Sequence, residues 1–283
     1  MTPAAQAALG SWSLPLGVNI TIGASAVFYL RGWFRLRASS PATISGYRLA
    51  SFLFGLFSLW LAIGSPLEAL DDLSLLSHMV QHLLLMLAAP PLLLLGAPSL
   101  PLLHGLPERF VRGPLGAFLR NYGIRWLGNA MTDPLFCWTT AMVALIAWHV
   151  PAAFELALRS DRWHDLEHAC FFASSVLFWW PVIQPWPSQA RWPRWSMPLY
   201  LLLGTMAAST VSAYLCFSDH LLYPSYADAP NIWGRSPLAD QEIAGAVMWV
   251  AMTIVLSIPA FLITLGLLSP IRSRYTAPAR LNR

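Results

Sequence analysis

Residues Ser77 to Pro98, SHMVQHLLLMLAAPPLLLLGAP, form an apolar run long enough to span a bilayer, yet its first turns carry His78, Met79, Gln81 and His82. On an α-helix, residues four apart stand one above the other with Cβ atoms about 5–6 Å apart, so His78 and His82 share a face. Two imidazoles so placed can reach one metal ion. Ionisable groups inside hydrocarbon are costly, and they mark a functional site when partners for them can be named. Those partners must come from the rest of the chain.

The composition is that of a membrane protein. Of 283 residues, 57% are hydrophobic and 11% charged, and several runs approach the roughly 20 apolar residues that a helix needs to cross about 30 Å of hydrocarbon. Cys137, Cys170 and Cys216 lie in apolar runs and form no CxxC pair, which argues against a disulfide framework and a thiolate zinc site. The charge of +4 comes from 17 arginines, with no lysine, against 13 acids. No arginine run is dense enough for nucleic-acid binding.

Seven spans are expected, near residues 13–31, 44–64, 73–97, 134–150, 164–184, 196–217 and 241–268. The fold class is therefore all-α, a polytopic membrane helical bundle with seven transmembrane helices, one integral-membrane domain over residues 1–283. The N-terminal MTPAAQAALGSW has no basic region of the kind that opens a signal peptide, so no cleaved leader is expected. Arginine placement sets the direction. One side collects Arg31, Arg35, Arg37, Arg48, Arg109, Arg112, Arg120, Arg125, Arg191, Arg194, Arg272, Arg274, Arg280 and Arg283; the other has Arg159, Arg162 and Arg235. Positive charge is retained in the cytoplasm, so the N-terminus is expected outside and the C-terminus in the cytoplasm. Proline inside the third span, at Pro90-Pro91, and in the seventh, at Pro259, predicts kinks.

With direction set, six of the seven histidines fall at one depth, near the outer surface: His78, His82, His149, His164, His168 and His220. His104 alone is cytoplasmic. Asp240 and Gln241 begin the seventh span at the same level. His164-Asp165-Leu166-Glu167-His168 repeats the HxxxH device of the third span, with Glu167 and Asp165 available to accept from a ligand histidine's other nitrogen. Candidate metal ligands are His78, His82, His149, His164, His168, His220, Asp240 and Met79. Imidazole with thioether points to copper; imidazole with carboxylate and water suits zinc as well. No catalytic residue and no organic cofactor site is assigned.

Each residue alone has an ordinary reading. A single interfacial histidine is more often a polar anchor, methionines such as Met79, Met86 and Met248 more often fill helix interfaces, and tryptophans such as Trp179 and Trp180 anchor at headgroup level. It is the joint placement of the histidines that points to metal.

HMVQH followed by LLLMLAAPPLLLLGAP, then WHVP, HDLEHACFF, FWWP and DQEIAGAVMW together resemble the multi-spanning CtaG family of cytochrome c oxidase assembly factors. The resemblance covers spans three to seven and carries over to His78, Met79, Gln81, His82, His149, His164, His168, Asp240 and Gln241. It implies a non-enzymatic copper-binding metallochaperone that helps mature a haem-copper oxidase. The implied partners are oxidase subunits, a periplasmic copper donor and membrane lipid. Two other functions compete. A seven-span zinc hydrolase of the ceramidase-like kind needs three ligands, an open position and a carboxylate to activate water. A haem-binding electron carrier would use opposed histidines, but the inner halves of the spans hold none for a second cofactor layer.

Overall fold

The computed structural model describes residues 15–39, 45–185, 188–230 and 234–269, together with residues 6–7, 10–12 and 232. The tail arginines Arg272, Arg274, Arg280 and Arg283 lie outside them. The described residues contain no strand, and seven long helices lie on the expected spans: α1, Leu16–Ser39; α2, Gly46–Gly64; α3, Leu75–Leu95; α4, Pro134–His149; α5, Asp161–Ile183; α6, Met197–Phe217; and α7, Pro237–Leu268. Five of these, α2, α3, α5, α6 and α7, are long and apolar enough to cross a bilayer. α4 has 16 residues and reaches that length only with the preceding helix Tyr122–Met131, to which it is bent by 65°, making six. α1 falls short because Asn19 and Arg31 interrupt its apolar stretch. It also runs eight residues beyond its expected end, where Arg35 donates to His104 O at 2.9 Å and Arg37 lies over the Trp33 ring.

Burial separates an inner group from an outer one. Half of the apolar window of α3 and of α5 is buried, against 22% for α2 and α7. The large apolar core runs from Leu75, Met79 and Met86 on α3 through Leu145, Phe171 and Leu201 to Met248 and Leu256 on α7. α1 and α2 form their own small cluster around Tyr29, Trp33, Phe52 and Leu56. α1 is thus peripheral, as expected of a span that carries none of the histidine motifs.

The kink expected in α3 takes the form of a π-helical turn over Leu84–Ala88. Pro90 has no N–H to offer the carbonyl of Met86 four residues back. Trp179 on α5 fills the gap, its indole Nε1 donating to Met86 O at 3.0 Å. A helix break in apolar surroundings is tolerated where a neighbouring helix satisfies the freed backbone group. Here it also fastens α3 to α5, the two helices with paired histidines. At the arginine-rich end, α1 meets the short helix Ser99–Gly105 backbone to backbone, since a Cβ on Gly32 would strike the Pro101 carbonyl and one on Gly105 the Phe28 carbonyl.

Candidate metal centre

The site is built on the first turns of α3. Ser74 caps that helix, its hydroxyl oxygen accepting from Ser77 N, and donates to the Asp240 carboxylate at 2.9 Å. Asp240 also accepts from Leu76 N at 3.1 Å. A carboxylate on free N–H groups at a helix N-terminus is favourable both as a hydrogen-bond acceptor and against the helix dipole. Asp240 therefore sets where α3 begins, and with it the height of His78 and His82.

From that start the i, i+4 spacing brings His78 Nε2 and His82 Nε2 to 2.9 Å. On α5, His164, Glu167 and His168 occupy one face by the same spacing, with the two rings 4.1 Å apart. His168 lies 5.4 Å from the His82 ring and 6.1 Å from that of His78, and His164 lies 5.2 Å from His78. α4 ends on His149, whose ring is 6.3 Å from His82. Two sets of ligand atoms lie within 4.8 Å of one another: His78, His82 and His168, and Asp71, His78 and His164.

Hydrogen bonds assign the free nitrogens. His149 Nδ1 lies 2.7 Å from Leu145 O, which only accepts, so Nδ1 carries the proton and Nε2 a lone pair. Tyr226 donates its hydroxyl proton to Asp71 O, so its oxygen accepts from His78 Nδ1 at 3.2 Å. His78 Nε2 is then also a lone pair, facing His82 at 2.9 Å. Two facing lone pairs repel, so either a proton on His82 or a cation must lie between them.

The surroundings fit a cation. Glu167 is fully buried with both oxygens unpartnered, 3.6 Å from His78 Nε2 and 3.8 Å from His82 Nε2. Asp71 Oδ2 approaches His164 Nε2 at 3.2 Å, an ion-pair distance without hydrogen-bond geometry. Among the described residues, 13 buried side-chain atoms lack a partner, and seven of them belong to Asp71, His82, His149, His164, Glu167 and His168. An unsatisfied buried polar atom costs about 1–3 kcal/mol. So many in one place is a cost that a bound metal ion would relieve. Two nitrogens about 2.0–2.1 Å from one tetrahedral ion stand about 3.3–3.4 Å apart, so the His78 and His82 nitrogens, at 2.9 Å, would have to part slightly to share one.

A folded-back segment closes the site. Leu222 N donates to Gln241 Oε1 at 2.7 Å, Tyr223 donates to His149 O, and Ser225 donates through N–H and hydroxyl to Glu155. Phe154 stacks on Tyr223 and covers His78. Partial burial works to raise the Glu155 carboxyl, but the Ser225 hydrogen bonds and then Arg159 outweigh it and hold Glu155 below the usual carboxylate range. Asp71 goes the other way. Burial, with Asp72 and Glu68 beside it, pushes its carboxyl up to about 9.

Of the eight candidate ligands, His78, His82, His149, His164 and His168 come together. The other three do not join them. Asp240 is occupied as the cap of α3. His220 is 70% exposed and pairs with Asp219 at 2.8 Å, because the chain turns out to solvent after Phe217 before folding back at Leu222. Met79, one residue on from His78 and so about 100° around the helix, is buried in the apolar core. Gln81 and Gln241 act as pins, Gln81 donating to Ala62 O and Glu68 and Gln241 holding Leu222 and His220. Asp71 and Tyr226 were not anticipated. The Asp71-Asp72 pair in an otherwise apolar chain was a signal for the first; nothing local marks the second.

No solved structure matches the chain. Three curated mycobacterial relatives do, each an uncharacterized protein. Those of Mycobacterium bovis and Mycobacterium tuberculosis are each 27% identical over 239 residues, covering 82% of this chain and 35% of theirs, and that of Mycobacterium leprae is 24% identical over 249 residues, covering 81% and 36%. The chain thus spans about a third of the length of the curated relatives it matches. The family model of the cytochrome c oxidase caa3 assembly factor matches residues 27–269, and with the helices and motif residues described above the chain belongs to that family.

Proposed function

We propose that the protein is a non-catalytic metallochaperone, binding copper on the outer side of a bacterial inner membrane and passing it to an oxidase under assembly. The supporting observation is the group of three ligand nitrogens, from His78, His82 and His168, within 4.8 Å of one another in a buried pocket. His164 with Asp71, and His149, are reserve ligands within ring contact. Copper is the metal a haem-copper oxidase takes up, and oxidase subunits are the partners this reading implies. Metal analysis and an optical spectrum of the purified protein test it. Copper near one equivalent is expected, lost in His82→Ala and His168→Ala and kept in His104→Ala. Protein that takes up no copper from a Cu(I) donor would sink the reading.

One observation favours a second function. Glu167 places an unpartnered carboxylate beside the same nitrogens, which is what a zinc hydrolase needs to activate water. Zinc in the purified protein, with amide or ester hydrolysis abolished in Glu167→Gln, would replace the chaperone reading.

A further inference from the structure

The cluster is sealed on one side by Phe154, Tyr223 and Tyr226, none more than 4% exposed. Another approach is open. A cavity of about 410 Å³ separates the histidine end of α1 from α2, α3 and α5, and His168 forms part of its wall. The cavity exists because α1 is clamped at its other end, through Gly32, Gly105 and the Tyr29 hydroxyl on Gly96 O, while at the histidine end Trp60 tethers it through Asn19 and Trp12. A Cβ on Gly17 meets nothing within 4 Å. Val18, Leu59 and Phe172 make the walls apolar, and the charged groups lining the space are Glu68 and Asp165, with no cationic side chain among them. His168 is 6% exposed and its Nε2 has no partner. At about 30 Å³ per water, the volume holds roughly a dozen waters, enough for a hydrated ion.

We infer that this cavity is the access vestibule of the metal centre: a cation enters between α1 and α2, is drawn in by Glu68 and Asp165, and is taken up at His168 before reaching His78 and His82. That the cation is copper rests on the function proposed above. A low-dielectric cleft with charge of one sign concentrates the opposite ion and raises its rate of arrival by about tenfold or more. The vestibule therefore governs the rate of loading, and the histidines its extent.

Two measurements test this. The first uses Ala169→Cys, a cavity-lining position, with Cys170 and Cys216 replaced by alanine. A small cationic methanethiosulfonate should label it about tenfold faster than an anionic one of similar size, and Gly17→Phe should slow the labelling. The second follows Cu(I) uptake by the otherwise native protein, where Gly17→Phe should slow loading about tenfold and leave the final amount unchanged. No labelling, equal rates for both reagents, or loading indifferent to Gly17→Phe overturns the vestibule. Charge-selective labelling blocked by Gly17→Phe, in a protein whose native form takes up no copper, supports the vestibule while removing copper as its cargo.

Discussion

His78 and His149 each have one ring nitrogen engaged by an oxygen, and this decides what the other nitrogen can do. An imidazole whose proton is claimed at Nδ1 presents a lone pair at Nε2, the form a metal binds. The Asp71 carboxylate beside His164 should matter in the same indirect way, so Asp71→Asn is expected to weaken metal binding by about tenfold, measured by competition with a chromophoric chelator. Met79→Leu keeps volume within the apolar core and should leave metal affinity unchanged in the same assay, with a stability change under about 1.5 kcal/mol. A drop in affinity there would return the thioether to the site. The paired histidines were legible because helical periodicity alone puts residues four apart on one face. Tyr226 was not, since it meets His78 from 148 residues away and its neighbourhood, Pro224-Ser225-Tyr226, reads as a turn.

The π turn of α3 orients side chains that lie outside it. One extra residue per turn rotates the helix before it by about 100° relative to the helix after it, so the turn at Leu84–Ala88 sets the direction in which His78 and His82 face once α3 is fastened at Met86 by Trp179. Pro90→Ala restores an N–H that competes for the Met86 carbonyl. Metal occupancy should fall although no ligand has changed, as metal analysis of the purified variant would show; full occupancy would mean that packing alone sets the register. The closing segment makes a separate prediction about pH. Glu155 is held below the usual carboxylate range by the Ser225 bonds and Arg159, so its stabilisation is present above the ordinary carboxylate pKa and is lost as pH falls through its lowered value. Hydrogen exchange at the Ser225 amide should therefore lose protection in that acidic window, and Glu155→Gln should remove this pH step. Proline predicted the break in α3, but the form of the break depended on a tryptophan 93 residues away, which no local pattern displays.

For the whole molecule the arginine count, fourteen against three, predicts that His164 lies outside and Arg109 inside. Reporter fusions should place residue 109 inside and residue 160 outside; the reverse placement would turn the histidine cluster toward the cytoplasm. Helix positions were largely legible because apolar length is a strong signal in a chain with 11% charge, and most observed ends fall within three or four residues of those expected. α1 was the least legible. Its arginine turns are kept helical by docking on Ser99–Gly105, a tertiary contact through glycines. The aspartate that caps α3 has a consequence for biosynthesis. Asp240 stands 166 residues after Ser74, and at about 5–20 residues per second the ribosome takes roughly ten to thirty seconds to cover that distance. During that interval α3, α4 and α5 already carry all five clustered histidines, but the start of α3 has no carboxylate to hold it. The nascent chain therefore fixes the start of α3, and with it the height of the paired histidines, only once α7 has been made.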